Sequence, residues 1–312
     1  METSSSLSVI ILNWNAAADT MGCVRNFAAW QQIRPAIWVV DNASEDGSAD
    51  LIAETCPEVN LIRNPVNQGY TGGNNRGLEK ALARGHSSVM LLNNDAKIDE
   101  ADTVRLLETL AANPEIGIVG PLMFDADQPD KLLNAGGQNM VRHLSSHISE
   151  VTTDARLQMV DYIPGTVLIA KRQVFDTVGL LDEDYFFGGE LPDFCHRAQQ
   201  NSYLSAVDTC ARAFHSTERS ALFRKTLYPY YIIRNRFIFI RKFYTVSRIF
   251  FLGFWTLYSV ALSLKLQLSG QTQMAKAVWM GLADGWQRRF GNQNDRVLLA
   301  CGINTGKPGS HP

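Results

Sequence analysis

Short apolar runs alternate with longer amphipathic segments along the first 125 residues of the chain. Four such runs are predicted strands: Leu7–Leu12, Ala36–Val40, Val59–Asn64 and the segment SSVMLLNND. The first of them is apolar on both faces, as a buried parallel strand is. Helical signals follow them, such as the acidic start and the Asn113-Pro114 stop of DEADTVRLLETLAANP. This alternation predicts an α/β fold with a parallel sheet and helices on both of its faces.

Three of the predicted strands end in small polar side chains. These are Asn13 and Asn15, Asp41 and Asn42, and Asn93, Asn94 and Asp95. A single Asn-Asp cluster is most simply a turn, because these side chains bond to local backbone. Three clusters at the carboxyl edge of one parallel sheet converge, however, and ligands bind at that edge in open α/β folds. The pattern therefore predicts a ligand pocket rather than a set of turns.

The last third of the chain is aromatic, basic and apolar. From Arg219 to Leu282 there is no Asp or Glu. The same stretch holds ten basic residues: Arg219, Arg224, Lys225, Arg234, Arg236, Arg241, Lys242, Arg248, Lys265 and Lys276. One interpretation is a buried helical hairpin that caps the sheet domain. The other is a segment in a membrane interface, where basic groups meet anionic head groups.

The missing acids favour the membrane interface, because a capping helix has no reason to exclude Asp and Glu from its exposed face. Arg234, Arg241 and Arg248 recur every seven residues and would share one side of a single helix. Ile249–Leu264 is 16 residues without a charge, which falls short of the roughly 20 needed to span a bilayer. We therefore predict peripheral association with a membrane.

Length and composition limit the number of domains, the partners and the cellular compartment that the chain can have. A chain of 312 residues is long enough for one large domain or two modest ones. We predict two regions, a catalytic domain at 1–222 and a helical, membrane-associating region at 223–312. A net charge of −2 gives no excess of base for nucleic acid. Five scattered cysteines without CxxC spacing indicate reduced thiols in a cytoplasmic protein. The first residues lack the basic region of a signal peptide.

Several motifs resemble family 2 glycosyltransferases in their order and spacing: VIILNWN, VVDNASEDGS, NPVNQGYTGGNNRG and LLNND. GTVLIAKRQVFDTVGLLDEDYFFGGE and YYIIRNRFIFIRKF are similar to later blocks of the rhamnosyltransferase-like branch, which builds bacterial surface polysaccharides. The resemblance covers roughly residues 7–245. It implies a GT-A fold, which is Rossmann-like with a mostly parallel sheet flanked by helices. It also implies a nucleotide-diphosphate sugar donor and a divalent metal, Mg²⁺ or Mn²⁺.

The resemblance carries roles to individual residues. Asp41 matches the residue that binds the donor base. The Asn93-Asn94-Asp95 triplet stands where the family usually has Asp-x-Asp, which leaves Asp95 for the metal and Asn93 for the ribose or diphosphate. His215 lies where many relatives place a metal-binding or diphosphate-binding histidine, with a structural role as the alternative. The remaining predicted donor-binding residues are Asn13, Asn15, Asn67, Gly69, Asn75 and Asn94. The glycines after Asn67 either let backbone approach the donor or form a turn before a helix.

The catalytic base is where the sequence departs from the family pattern. The block reads FFGGELPDFCHR, with Leu191 where the family has the aspartate that takes the acceptor proton. Glu190 and Asp193 remain as candidates. Asp193 falls in the first turn of a predicted helix, four residues before Arg197, which suits a helix-dipole or ion-pair role. Glu190 is therefore the preferred base, with Asp193 second. A carboxylate suits the task because its pKa rises toward neutrality when it lies beside other acids or is partly buried.

The predicted function is that of an inverting glycosyltransferase. It moves a sugar, from dTDP-rhamnose or a UDP-sugar, to a hydroxyl of a lipid-linked or surface-polysaccharide precursor at the inner face of the cell membrane. A nucleotidyltransferase is disfavoured because NWNAAADTM lacks the glycine and basic residues of its phosphate loop. A non-catalytic sugar-nucleotide-binding protein of the same fold is favoured by one feature alone, the leucine at position 191.

Overall fold

The computed structural model describes residues 6–216 and 221–303, with the backbone alone at 221–225. The chain divides into two compact units that interleave along the sequence. The sheet unit consists of Met1–Asn139, Ser145–Leu181 and Leu191–Thr217. The helical unit consists of Met140–Leu144, Asp182–Glu190 and Glu218–Pro312. The predicted boundary at residue 222 assigned 140–144 and 182–190 to the sheet domain, whereas both segments pack with the helical unit.

The sheet unit is built on one mixed sheet. Its described strands are β1 (Leu7–Asn13), β2 (Ala36–Asp41), β3 (Asn60–Arg63), β4 (Ser88–Asn93), β5 (Ala96–Ile98), β6 (Ile116–Asp125), β7 (Leu132–Asn134), β8 (Leu157–Val160), β9 (Val167–Lys171) and β10 (Leu204–His215). Their order is β3-β2-β1-β4-β9-β6-β10-β5, with β7 on β6 and β8 on β10. The first four strands of this order are parallel, and β9 lies antiparallel between β4 and β6.

Helices cover both faces of this sheet. They are α1 (Ala17–Phe27), α2 (Ser48–Thr55), α3 (Gly69–Ala83), α4 (Glu100–Ala112), α5 (Arg172–Val178) and α6 (Glu190–Gln200). Alternate residues of β1 point to opposite faces, so Ile11 packs in one cluster with Val24 and Leu106, and Ile10 in another with Leu78. The predicted α/β class, with a mostly parallel central sheet flanked by helices, is confirmed.

Glycines in α3 allow that helix to pack directly on β1. A Cβ atom at Gly73 would lie 2.5 Å from Leu12 Cδ1, and one at Gly77 would lie 2.5 Å from Ile10 Cγ2. Gly69 begins the helix with φ +70°, a conformation that favours glycine. Gly73 and Gly77 therefore serve helix packing, which neither predicted explanation for the glycine-rich segment had included.

The helical unit contains α7 (Ala221–Phe243), α8 (Arg248–Leu268), α9 (Thr272–Gln287) and α10 (Asn294–Ala300). Its core includes Phe237, Trp255 and Val278. The segment Met140–Leu144 is held through its backbone, because Arg236 Nε donates to the Met140 carbonyl at 3.0 Å and Trp255 Nε1 donates to the Val141 carbonyl at 3.0 Å. A short sequence from the middle of the chain thus completes this unit.

The predicted alignment of three arginines along one side of a single helix is wrong. Helix α7 ends at Phe243 and Arg248 begins α8, so Arg234, Arg241 and Arg248 do not share one helix. Arg234 is also fully buried, and its guanidinium donates to backbone oxygens, including the Tyr185 carbonyl at 2.7 Å. A buried cation is tolerated here because carbonyl dipoles replace the water it has lost.

Helix α8 is longer than its uncharged stretch suggested. Its 21 residues extend about 31 Å, close to the roughly 30 Å thickness of a bilayer core. Among the described residues, it is the one helix whose length and composition would allow it to cross a membrane. Only 22% of its most apolar window is buried, so it is not an ordinary core helix.

Candidate active site

The polar ends of β1, β2 and β4 lie side by side at one edge of the sheet. Asn13 pairs with Asp41 across β1 and β2, and Leu12 pairs with Asn93 across β1 and β4. Because these strands are parallel, their carboxyl ends meet at the same edge. The backbone N–H of Asn93 donates to the Thr166 carbonyl at 3.0 Å, which fixes the end of β4.

Asp41 is held in one orientation by its neighbours. The carboxylate is 3% exposed, and its two oxygens accept from Asn13 Nδ2 at 2.8 Å and from the Ser44 backbone N–H at 3.1 Å. Asn13 Nδ2 also donates to Ser44 Oγ at 3.1 Å. Ala43, between them, has φ +62°, an uncommon conformation for a residue other than glycine. Strain of this kind concentrates at functional sites, where the surroundings maintain it.

Asn15 closes the same loop from the other side. Its backbone N–H donates to Ser44 Oγ at 2.9 Å, and its side-chain Oδ1 accepts from the Glu45 backbone N–H at 2.9 Å. Asn15 also has a left-handed backbone, with φ +50°, which asparagine tolerates better than most residues. Its side chain therefore shapes the loop beside Asp41.

Thr20 on α1 joins the first strand end to the third. Its hydroxyl donates to Asn13 Oδ1 at 2.7 Å and accepts from Asn94 Nδ2 at 3.0 Å. The result is a continuous hydrogen-bonded series from Asp41 through Asn13 and Thr20 to Asn94. Neither Thr20 nor Ser44 was predicted. Thr20 is the one hydroxyl on the otherwise apolar buried face of α1, and Ser44 lies three residues after an aspartate, as in a turn; both signals were available.

Asp95 and His215 meet where β5 pairs with β10. In that antiparallel register Ala96 lies opposite His215, and the Ser216 backbone N–H donates to the Asp95 carbonyl at 3.3 Å. His215 Nε2 is 3.2 Å from Asp95 Oδ1. Oδ1 is buried, and the contact lacks the angles of a hydrogen bond. Burial raises the pKa of the nearby Cys23 thiol to about 12, and the negative charge of Asp95 adds to the effect.

This pair fits a divalent cation. A buried carboxylate oxygen without a hydrogen bond is costly unless a positive group meets it. Carboxylate oxygen and imidazole nitrogen are both ligands for Mn²⁺, and Mg²⁺ is usually held by one or two carboxylates with phosphate oxygens and water. Within residues 6–216 and 221–303, no group of three or more His, Cys, Asp or Glu side chains could hold a metal ion. Among the described side chains, Asp95 and His215 would therefore supply only two of the ligands of such a cation.

Asn67, Gly69 and Asn75 have contacts that support the framework. Asn42 Nδ2 donates to Asn67 Oδ1 at 3.0 Å and to the Gly69 carbonyl at 3.0 Å, so Asn67 and Gly69 brace the loop after β2. Asn75 is buried, and both ends of its amide bond to the Leu181 backbone, at 2.9 and 3.1 Å. Donor binding by Asn67 and Gly69 stays a prediction. Asn75 joins two segments of the fold, and its predicted donor contact likewise stays a prediction.

Asp193 is engaged in an ion pair. It is fully buried, and its Oδ1 is 2.6 Å from Arg197 Nε. The same guanidinium donates to the Val178 carbonyl and, at 2.8 Å, to the Leu180 carbonyl. Asp193 thus helps to anchor α6 to the chain that precedes it, which is the structural role the sequence offered as its alternative.

Leu191 and Glu190 begin α6 with different surroundings. Leu191 is buried in an apolar cluster, and a Cβ atom at Gly165 would lie 2.7 Å from Leu191 Cδ1. The family's usual aspartate position is therefore part of the packed core here. Glu190 is the first residue of α6, is 6% exposed and belongs to the helical unit.

Residues 8–179 match the model of the family described as Glycosyl transferase family 2. The match spans more than half of the chain, and the chain belongs to this family. The matched segment includes the three polar strand ends with Asp41 and Asp95. It stops before Glu190, Asp193 and His215, whose roles stay predictions.

Known proteins similar to the chain support the same membership. Low-salt glycan biosynthesis hexosyltransferase Agl10 of Haloferax volcanii is 25% identical over 235 residues, 74% of each chain. N-acetylglucosaminyl-diphospho-decaprenol L-rhamnosyltransferase of Mycobacterium tuberculosis is 26% identical over 207 residues, 59% of this chain and 67% of the relative. The predicted likeness to rhamnosyltransferases of family 2 is confirmed.

A solved structure shares the fold. Mannosyltransferase PcManGT from Pyrobaculum calidifontis, in complex with GDP-Man and Mn²⁺, has a TM-score of 0.58 at 14% identity. The similarity covers 91% of this chain and 87% of that one. At this identity the similarity establishes the fold alone, and the predicted GT-A fold is confirmed.

Proposed function

We propose that the protein is an inverting glycosyltransferase that moves a sugar from a nucleotide-diphosphate sugar to a hydroxyl of a lipid-linked or surface-polysaccharide precursor. The observation that carries the proposal is the hydrogen-bonded series from Asp41 to Asn94, next to Asp95 and His215, in a chain of family 2. The names of the relatives support the acceptor class, since one acts in glycan biosynthesis and another is named for a decaprenol-linked sugar.

The donor nucleotide binds against Asp41. An ionised carboxylate is a pure acceptor, so it suits the N–H groups of a nucleotide base. Asn13 and Ser44 hold both of its oxygens in place before the donor arrives, and this reduces the ordering needed on binding. Asn93 and Asn94, at the adjacent strand end, contact the ribose or the diphosphate.

Asp95 and His215 would hold the divalent cation. When bound, Mg²⁺ or Mn²⁺ neutralises the charge that develops on the departing diphosphate. Asp95 supplies the protein's carboxylate in place of the two that the family's Asp-x-Asp usually offers. A site with one carboxylate binds its cation more weakly, so the donor diphosphate contributes a larger share of the ligands.

Glu190 takes the proton of the acceptor hydroxyl. The acceptor oxygen forms a bond to the anomeric carbon of the donor sugar while the bond from that carbon to the diphosphate breaks. The proton goes to the Glu190 carboxylate, and the diphosphate leaves with the bonding electron pair. Attack on the face opposite to the leaving group inverts the anomeric centre.

The test is release of nucleoside diphosphate from a panel of sugar nucleotides, with Mn²⁺ or Mg²⁺ and a polyprenyl-diphosphate-sugar acceptor. Asp95→Ala and His215→Ala should abolish release, whereas Asp130→Asn, which changes an exposed carboxylate, should keep it. Binding of a sugar nucleotide without turnover by any acceptor would instead favour the non-catalytic binding protein. Failure to bind any sugar nucleotide would end the proposal.

A lipid-linked acceptor lies in a membrane, so the enzyme needs a face that binds one. Helix α8 has such a face. One side of α8 is buried within the helical unit at Leu252, Trp255 and Ser259. The opposite side is exposed and apolar, at Phe250, Phe254, Leu257, Leu264 and Leu268. A surface helix of a soluble protein is normally polar on that side. Contiguous exposed apolar residues mark an interaction surface.

Charge favours a lipid bilayer as the partner of this surface. No acid occurs from Arg219 to Leu282, while Arg248 begins α8 and Lys265 lies in its last turn. Trp279 on α9 is also half exposed, and tryptophan is enriched at membrane interfaces. We therefore propose that α8 lies in the plane of the cytoplasmic leaflet, where anionic head groups meet the basic side chains. All five cysteines lie within the described residues as free thiols, which supports a reducing compartment.

Flotation with vesicles tests the membrane surface. The full chain should float with phosphatidylglycerol-phosphatidylcholine vesicles and less with phosphatidylcholine alone. The double variant Leu257→Glu/Leu264→Glu should lose flotation, whereas Gln267→Glu/Gln273→Glu adds the same charge at exposed polar positions and should keep it. A wild-type dimer without vesicles that the leucine variant converts to a monomer would assign this face to self-association and refute the proposal.

A further inference from the structure

The loop before Glu190 contains a strained turn. Phe186 has φ +60° and ψ −52°, and the Phe187 backbone N–H donates to the Tyr185 carbonyl at 2.7 Å. This is a γ-turn of the rare hand that costs energy for an L-residue. Gly188 and Gly189 follow with φ +75° and +109°, and lead directly into the first residue of α6. Such a backbone persists only where its surroundings hold it.

Asn235 on α7 holds this loop by its backbone. Its Nδ2 donates to the Phe187 carbonyl at 2.8 Å, to the Tyr185 carbonyl at 3.2 Å and to the Gly188 carbonyl. The two segments are in close contact, because a Cβ atom at Gly189 would lie 3.3 Å from Asn235 Cβ. One amide group therefore contacts three of the four carbonyls of residues 185–188.

Arg234 supports both the loop and Asn235. Its guanidinium donates to the Tyr185 carbonyl at 2.7 Å and to the Asp184 carbonyl at 3.2 Å. Arg234 Nε also donates to Asn235 Oδ1 at 2.8 Å, which turns the amide so that Nδ2 faces the loop. The guanidinium lies 4.7 Å from the ring centroid of Tyr231, and Phe186 stacks on the same ring at 5.5 Å. The strained residue Phe186 and the arginine that holds its loop thus pack on the same Tyr231 ring.

We infer that Arg234 and Asn235 are positioning residues for Glu190: by clamping the backbone of residues 184–188, they fix where α6 begins and where its first carboxylate points. The inference rests on the proposed function, in which Glu190 takes the acceptor proton. Without the clamp, the γ-turn relaxes and the start of α6 shifts. A shift of about 1 Å at a reacting group can cost on the order of 100-fold in rate.

Kinetics of the full chain are the first test. Asn235→Ala should lower kcat about 100-fold while donor KM stays within about twofold, because the proposed donor contacts are made by other residues. Arg234→Lys, which keeps the charge and loses the fork of donors, should also lower kcat with donor KM unchanged. Arg236→Lys is the matched control: Arg236 is also buried on α7 and also bonds to backbone, but at Met140 and Leu144, and kcat should stay within about twofold.

A double variant with Glu190→Gln distinguishes a positioning role of Asn235 from a general loss of structure. In a Glu190→Gln background, Asn235→Ala should lower the residual rate by no more than about twofold, because the group it positions is already gone. A further drop of about 100-fold in the double variant would overturn the inference. So would an Asn235→Ala enzyme with wild-type kcat, or a Glu190→Gln enzyme with full activity beside an inactive Asn235→Ala enzyme.

Amide hydrogen exchange tests the clamp without any turnover. Peptides covering residues 182–190 should exchange at least about tenfold faster in Asn235→Ala than in wild type, while peptides from α9 stay unchanged. If the wild type turns over no sugar nucleotide, the proposed function fails, and this measurement still decides whether Asn235 holds the loop. Unchanged exchange at residues 182–190 would overturn the clamp itself.

Discussion

Replacing Asp193 by asparagine should weaken the fold and leave catalysis in place. The carboxylate is fully buried, with Oδ1 2.6 Å from Arg197 Nε, and the Arg197 side chain is 16% exposed. Asparagine has nearly the same shape, so the substitution removes the charge and little else. Arg197 keeps its bonds to the Val178 and Leu180 carbonyls, and α6 therefore stays attached to the preceding chain.

The expected loss follows from the type of bond. A hydrogen bond to a charged group contributes about 1.5–3 kcal/mol, and a neutral one about 1 kcal/mol, so Asp193→Asn should cost about 1–2 kcal/mol. Asp193→Ala leaves a mostly buried guanidinium without its carboxylate and should cost about 3–5 kcal/mol. At about 2–4 °C per kcal/mol for a unit of this size, Tm should fall by about 2–8 °C and about 6–20 °C, respectively.

Thermal unfolding and transfer rates, measured on the same samples, make the comparison. At a temperature about 20 °C below the lowest Tm, Asp193→Asn should keep kcat within about threefold of wild type. Glu190→Gln should lose about 100-fold or more, the usual range for removal of a general base. Each substitution replaces a carboxylate by an amide of nearly the same shape, so the rates of the two variants can be compared directly.

The opposite pattern would refute this reasoning. An Asp193→Asn enzyme with unchanged Tm and a loss of more than about 100-fold in kcat, beside an active Glu190→Gln enzyme, would make Asp193 the base. The ion pair with Arg197 would then orient a catalytic carboxylate, and the positioning role inferred for α7 would lose its target.

Three further outcomes are expected. Gly77→Ala should lower the urea midpoint, because a Cβ atom 2.5 Å from Ile10 Cγ2 overpacks the core by about 1–3 kcal/mol, against about 1 kcal/mol gained in helix propensity. The Tm rise of wild type with MnCl2 and a nucleoside diphosphate should be lost in Asp95→Ala. Alkylation of the native protein at pH 8 should label exposed Cys210 and spare Cys23, because a pKa of about 12 leaves almost no thiolate; mass spectrometry reads both sites.

The convergence of the strand ends was accessible from sequence because it depends on short-range signals. Apolar runs identified the strands, and parallel order alone brings Asn13, Asp41 and Asn93 to one edge. The contact of Asp95 with His215 depends instead on pairing between β10 and the three-residue β5, which is too short to carry a pattern of its own. For those two residues, family resemblance supplied what periodicity did not.

The helical unit exposes the limits of sequence patterns in another way. A basic residue on an amphipathic segment is ordinarily read as exposed, yet Arg234 is fully buried because carbonyls of a distant loop surround its guanidinium. That loop, and the segment at 140–144, are too short and too mixed in character to signal their attachment to α7. The partner of a buried polar group is a property of the tertiary fold, and local composition does not encode it.

The interleaving of the two units restricts how this protein can be divided. Cutting the chain near residue 222 would remove α7 while Asp182–Glu190 stayed behind, stripped of the amide and guanidinium groups that satisfy its carbonyls. The shortened product would carry a loop without its hydrogen-bond donors directly ahead of α6. An exchange of the helical unit between relatives therefore has to transplant the three dispersed stretches together, and single-crossover chimaeras are poor starting material for engineering.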